Sequence, residues 1–311
     1  MVPSIRRPLS HSLKRAHFHS MKTWALRAIW IGMPVVLGAA IADAIRSWSD
    51  APRVTASVLA WVGWTIVLLA VLVPRPLSLT VARFGLPITF AVAAVASLSG
   101  RVSVVTAIGA LALSGAALVL GTRGDFARTC AQGAAYGDEE RFPLKVPPAL
   151  LLGILPVAVG LVAAAIVVGP LLLADRQWVL GSIVVLVCGF IGAFVVRLVH
   201  QLSQRWIVLV PAGLVIADPL TLTDPVLFPR ARIAGLGPAD PSRRPPDDAC
   251  DLRLGASFGS CALLLADDAD ITRRVRNRGV TVHANLLLVA PTAAPVLLER
   301  ARARRIHVRT N

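Results

Sequence analysis

The chain has 311 residues, 56% of them hydrophobic and only 16% charged, with a mean hydropathy of +0.70, which excludes an ordinary soluble protein and requires lipid as solvent. Its formal net charge of +15 does not signal nucleic acid, because residues 201–311 hold fifteen arginines against ten acids with no aromatic interleaving of the kind that stacks bases. Four scattered cysteines, Cys130, Cys188, Cys250 and Cys261, lack any CxxC spacing, so neither a disulfide framework, a metal site nor a cofactor is expected.

The distribution of charge divides the chain into a basic tail over 1–23, an apolar half over 24–200 and a domain of ordinary charge density over 203–311. A bilayer core of about 30 Å needs about 20 apolar residues per helix. Six windows meet that length, near 24–45, 54–73, 80–98, 102–120, 149–173 and 178–199. The first is too long for a secretory signal and is expected to be retained.

With the N-terminus inside, one face collects Arg6, Arg7, Lys14, Arg15, Lys22, Arg75, Arg83, Arg123, Arg128, Arg141 and Lys145, and the other only Arg46, Arg53, Arg101 and Arg176. This bias places both termini in the cytoplasm. Trp24, Trp48, Trp178 and Trp206 fall near predicted span ends, as interfacial anchors do. The ionisable residues Arg27, Asp43, Arg46, Arg83 and Arg197 all stand within about two turns of a span end, where they can snorkel. The span centres therefore lack the buried charges that ion pathways use. Pro34, Pro87, Pro156 and Pro170 are expected to kink packed helices. Small residues such as Gly109, Gly115, Gly153, Gly160, Gly181, Gly189 and Gly192 suit close helix packing, within the chain first and in a homodimer second.

The connection over 121–148 carries Asp138, Glu139 and Glu140 beside Arg141 and Lys145. Adjacent carboxylates lack the alternating spacing of a calcium loop, so a solvated, self-paired turn is expected, with docking against the C-terminal domain as the lesser expectation.

From Trp206 the pattern changes to short apolar runs between turn residues, the mark of strands. WIVLV (206–210) and LVIAD (214–218) read as a hairpin, followed by VLF (226–228) and ARIAGL (231–236). The Pro-, Asp- and Arg-rich segment 237–249 is expected to be an exposed loop, with further strands near 250–255, 260–265 and 280–290. Asp267, Asp268 and Asp270 read as turn residues, and His283 as a surface or satisfied core side chain. Thr292 is expected to cap a terminal helix that runs to about Ile306, with Pro295 in its first turn. Some seven strands closed by one amphipathic helix is the order of a pleckstrin-homology-like barrel. A boundary at 203 also predicts that 203–311 folds alone.

The runs RWIVLVPAGLVIAD, VLFPRARIAGLG and VHANLLLVAPTAAPVLLERARARRI resemble the bacterial pleckstrin-homology-like domains that follow transmembrane helices in uncharacterised bacterial membrane proteins. GAAYGDEERFPL is similar to a segment of actinobacterial multi-pass proteins. The resemblance implies a C-terminal PH-like barrel closed by an α-helix, on a six-helix bundle in a bacterial inner membrane. The sequence departs from it in the insertion at 237–249, which leaves the middle strand pairing open.

Arg273, Arg274, Arg276 and Arg278 surround an expected turn at Asn277–Gly279. Arginine forks grip phosphate bidentately, so a lipid headgroup or the anionic membrane surface is the functional reading of this cluster, set against a merely solvated basic loop near the bilayer. No Ser/His/Asp set, phosphate-cradling glycine loop or HExxH helix can be assembled, which argues against an enzyme. The function expected is a membrane scaffold whose cytoplasmic PH-like domain binds a protein partner or the anionic bilayer surface. The alternative is a small-molecule or lipid transporter with that domain as regulator.

Overall fold

A computed structural model describes residues 10–242, 245–246, 248–275 and 278–309, with side chains from residue 23 onward. Among these, six helices are long and apolar enough to cross a membrane: α1 (Ser10–Ala44, apolar from Thr23), α2 (Asp50–Leu72), α3 (Pro76–Leu98), α4 (Val104–Thr122), a fifth over Leu150–Ala174 and a sixth over Trp178–Leu202. Their starts follow local chemistry. Pro76 occupies the first turn of α3, where its missing N–H is no loss. The side chain of Ser103 accepts from the Thr106 N–H at 3.1 Å and caps α4.

The first four helices share one core, in which Leu26, Trp30, Met33, Val67, Val71, Leu86, Ala110 and Ala117 are all buried. Trp30 and Trp64 lock α1 to α2 reciprocally, each indole N–H donating to the other's carbonyl at 3.0 and 2.8 Å. Away from water such a donor needs a partner, and here the backbone supplies it. Helix α3 is central, with 44% of its apolar window buried, against 6% and 11% for the fifth and sixth helices. That last pair leans on α3 through a small cluster of Phe84, Ala158 and Val199, and its segment Gly169–Ala174 meets α2, while most of its remaining surface is exposed.

Pro34 and Pro87 lie inside continuous helices. In the fifth helix, π turns at Leu150–Ile154 and Ala164–Val168 precede Pro156 and Pro170, and the wider turn accommodates the missing donor. The small residues divide by use. A Cβ on Gly181 would meet Leu173 at 2.8 Å and one on Gly192 would meet Val162 at 3.5 Å, whereas Gly153, Gly160 and Gly189 face open space.

Between the fourth and fifth spanning helices the chain forms α5 (Gly124–Gln132) and strand β1 (Glu140–Pro143). Helix α5 ends at Gly133, where a Cβ would lie 1.9 Å from the Pro74 carbonyl oxygen, so this close approach to the α2–α3 turn requires glycine. With the spanning pair named α6 (Leu150–Ala174) and α7 (Trp178–Leu202), the rest is a two-sheet domain and a terminal helix α8 (Ala294–Ala303).

One sheet has the order β1-β2-β3-β4, with β2 at Trp206–Val210, β3 at Gly213–Ala217 and β4 at Val226–Pro229, every pair antiparallel. The other has the order β5-β7-β8-β6, with β5 at Ile233–Pro238, β6 at Cys250–Asp251, β7 at Cys261–Val275 and β8 at Arg278–Val289. β6 joins β8 in parallel and the other pairs are antiparallel. Phe142, Ile207, Leu209, Ile216, Leu236, Leu263, Leu287 and Leu297 fill the space between the sheets and under α8.

Several expectations change. The strands do not close into the expected barrel: among the described residues they form two separate sheets, because β4 ends at Pro229 and the turn Arg230–Arg232 carries the chain into the second sheet instead of continuing the first. The expected solvated turn instead supplies β1, so 203–311 holds seven of the eight strands. Glu139 does pair with its neighbour Arg141 at 3.2 Å. Glu140, however, accepts from Arg300 at 3.4 Å and Arg304 at 3.3 Å and ties the loop to α8. Asp267, Asp268 and Asp270 are not turn residues but lie within β7, where its register shifts between Leu264 and Ala269. The strand expected at 250–255 is reduced to Cys250–Asp251, after which Arg253 folds back onto Asp251. Thr292 does not cap α8, which begins two residues later, because the Thr292 N–H donates to the Pro143 carbonyl at 2.9 Å and extends the β1 contact. His283 is exposed and paired with Asp270 at 2.6 Å.

Candidate functional site

The C-terminal domain is fastened to the helices at one end. Arg205, three residues beyond α7, is buried with Asp218, at 1% and 0% side-chain exposure. Its Nε donates to Asp218 Oδ1 at 2.8 Å and its Nη2 to Oδ2 at 2.7 Å. Further bonds run from Nη1 to the Lys145 carbonyl at 3.2 Å and from Nη2 to the Leu252 carbonyl at 3.1 Å. The carboxylate also accepts the Leu220 N–H at 3.1 Å, and the Asp218 carbonyl accepts from Thr221 and Leu222. One ion pair thus fixes the exit of α7, the approach to α6, the turn after β3 and the end of β6. A buried pair holds only when its remaining hydrogen-bonding capacity is met, and here it is. The hairpin pairs Trp206 with Ala217, so continuing its register by one places Arg205 across from Asp218, a signal present in RWIVLVPAGLVIAD.

Beneath this pair a polar string joins α7 to α3. Arg83 Nη1 donates to Ser203 Oγ at 2.8 Å, Thr80 Oγ1 lies 3.0 Å from Ser203 Oγ and 2.9 Å from His200 Nδ1, and Gln204 Nε2 lies 3.0 Å from His200 Nε2. Arg83 thereby finds partners at the span end, where a cation can be held at modest cost. The end of α7, from which the domain starts, is thereby held to α3 by directed bonds.

The arginines singled out from the sequence lie on the β7–β8 hairpin, and the hairpin separates them. Arg273 sits across from Val280 and Val275 from Arg278, on the same face as buried Ile271. Arg274 sits across from Gly279, on the opposite face. Its backbone N–H donates to the Thr221 carbonyl at 2.8 Å. Arg276 and Asn277 lie outside the described residues, as do Arg6 and Arg7 and the side chains of Lys14, Arg15 and Lys22. Arg274 and Arg278 are exposed, while Arg273 is half-buried with an unpartnered Nε.

Nη2 of Arg273 reaches the Asp251 carbonyl at 3.4 Å. The next carbonyl along the chain, that of Leu252, is the one Arg205 holds. The curl of β7 therefore returns the basic hairpin to the end of the domain from which the helices emerge. Asp251 also accepts Arg253 Nε and Nη2 at 2.9 and 2.8 Å. Burial alone would raise its carboxyl, but the Arg253 hydrogen bonds, with the charges of Arg253 and Arg273, outweigh that and hold it below the usual range.

All four cysteines are free. Burial raises the thiols of Cys130 and Cys261 from 9.0 to about 12. At neutral pH this lowers their thiolate fraction by roughly a thousandfold, so a maleimide at pH 7 leaves both unmodified in the folded chain and labels them in denaturant, as intact mass would show. Because their folded values are raised, the stability they contribute is complete below pH 9 and is lost as the pH rises toward 12. Among the described residues no three His, Cys, Asp or Glu side chains gather to hold a metal.

This architecture is that of a multi-pass membrane protein with a C-terminal two-sheet domain docked on its helices. No family model, curated protein or solved structure matches the chain.

Proposed function

We propose that the chain is a bacterial inner-membrane scaffold whose cytoplasmic domain, a variant of the pleckstrin-homology-like plan with two sheets and a closing helix, binds anionic lipid headgroups through the β7–β8 hairpin. The observation that supports this reading is the placement of Arg273 one carbonyl away from the Arg205 contact, on the side of the domain from which the spanning helices emerge. Exposed Arg274 and Arg278 on its two faces suit a ligand that is a charged layer rather than a single enclosed phosphate. Basic side chains near an anionic surface contribute about 1 kcal/mol each.

Native mass spectrometry of the detergent-solubilised full chain with added phosphatidylglycerol tests this. The double substitution Arg274→Ala with Arg278→Ala is expected to weaken lipid retention on the order of 30-fold, from about 2 kcal/mol. The difference should shrink as ionic strength rises. Equal retention by parent and variant would overturn the reading and leave a protein partner as the ligand of this domain.

A further inference from the structure

Between β6 and β7 a loop over 252–260 exposes what a water-soluble surface would cover. Leu252 and Ser260 at its ends are buried, whereas Leu254 is 41% and Phe258 82% exposed. Leu254 holds φ at +52° and is followed by Gly255 at +87° and Gly259 at +60°. For leucine that left-handed conformation is strained, so local strain coincides with an exposed apolar side chain. Arg253, 5% exposed and held by Asp251, fixes the base of the bend.

The position of the loop is set by the two chain segments that flank the last pair of spanning helices. Lys145 Nζ donates to the Phe258 carbonyl at 2.5 Å, and a Cβ on Gly259 would lie 3.1 Å from the same nitrogen. Lys145 is five residues from Leu150, where α6 begins, a reach of at most about 17 Å. On the other side, Arg205, three residues past the end of α7, holds the Leu252 carbonyl. The loop is therefore tied close to where the chain enters and leaves the bilayer. Aromatic and leucine side chains beside a lysine are the chemistry of the headgroup layer, and removing an exposed Phe from water is favourable.

We propose that loop 252–259 is a second bilayer contact, in which Leu254 and Phe258 enter the interfacial layer of the leaflet below the domain and fix its tilt. This rests on the reading that the domain faces the bilayer, but it is driven by apolar burial and needs no anionic lipid, so the two can fail separately.

The test places a nitroxide at Phe258→Cys and, for reference, at Ala212→Cys in the exposed β2–β3 turn, the far end of β2 from Arg205. Both are made in the full chain with Cys188→Ala, the other cysteines being buried, and reconstituted in nanodiscs of phosphatidylcholine alone and with phosphatidylglycerol. In both bilayers the ratio of collisions with oxygen to collisions with an aqueous nickel chelate is expected to be several-fold higher at 258 than at 212. Equal ratios would overturn the proposal. Contact at 258 only in the anionic bilayer would also overturn it, while leaving the electrostatic reading intact. Contact in both bilayers, with lipid retention insensitive to Arg274 and Arg278, would sustain the loop and sink the hairpin. In the unlabelled chain, amide exchange over 252–259 is expected to quicken in Phe258→Ser and return to the parent rate in Phe258→Leu. No change on the serine substitution counts against the contact.

Discussion

Substituting Arg205→Ala in the full chain is expected to destabilise the C-terminal domain by about 3–5 kcal/mol, the cost of removing one partner from a buried ion pair. Asp218, fully buried, would lose its counter-charge and be left with the Leu220 N–H as the donor to its side chain. The Lys145 and Leu252 carbonyls would lose their donors at the same time, each at the price of a buried unsatisfied group. Hydrogen exchange of the β2 and β3 amides in detergent measures this directly. At 1.4 kcal/mol per tenfold change the rates should rise by about two to three and a half powers of ten. The paired replacement Arg205→Met with Asp218→Leu should recover part of the loss, since no charge is then stranded, but not all of it, because the Leu220 N–H would still lack its acceptor. Rates within threefold of the parent for Arg205→Ala would show that the pair does not hold the junction.

A fragment of 203–311 is expected to fail as a cooperative fold, contrary to the boundary drawn from composition. It lacks β1, which leaves the edge of β2 unpaired along Trp206–Leu209. It also removes Phe142 and Leu144, 1% and 3% exposed, from the shared core. Losses of about 3–5 kcal/mol for a buried Phe and 2–5 for a Leu compare with a total of about 5–15 kcal/mol for an ordinary domain. Arg300 and Arg304 would further lose Glu140. The remedy is specific. Pro143 lies opposite Trp206, and the Leu144 N–H donates to the Arg205 carbonyl at 3.0 Å, so the spanning pair α6–α7 interrupts what is otherwise a β-hairpin. Joining 133–146 to 203–311 by a short Gly/Ser linker should give a soluble chain with one sharp thermal transition by circular dichroism. A transition of equal sharpness and midpoint in 203–311 alone would refute the role of β1.

The six helices were legible because each needs only its own residues: about twenty apolar positions and polar ends specify a spanning helix without reference to neighbours. The β2–β3 hairpin was legible for a related reason, since WIVLV and LVIAD flank Pro-Ala-Gly and pair locally, Gly213 joining β3 opposite Val210. The second sheet was less so. β7 runs unbroken from Cys261 to Val275 through Asp267, Asp268 and Asp270, a charged stretch that reads as a turn until a bulge and an exposed strand face accommodate it.

The basic cluster was found as a run of residue types. Its split across two faces follows from the register Arg273–Val280 and Arg274–Gly279, and register is not written in the spacing of arginines.

The sequence by itself determined a multi-pass helical chain with a strand-rich C-terminal domain, because hydrophobic length and alternation are local properties. Only the tertiary structure decided that ERFP is a strand, that Glu140 serves α8, that Arg205 and Asp218 close the junction, and that the arginine hairpin and the Phe258 loop return to the helix-bearing end. Each of these joins residues far apart in the chain, and a short polar segment has no conformational preference strong enough to settle its structure before such partners are in place.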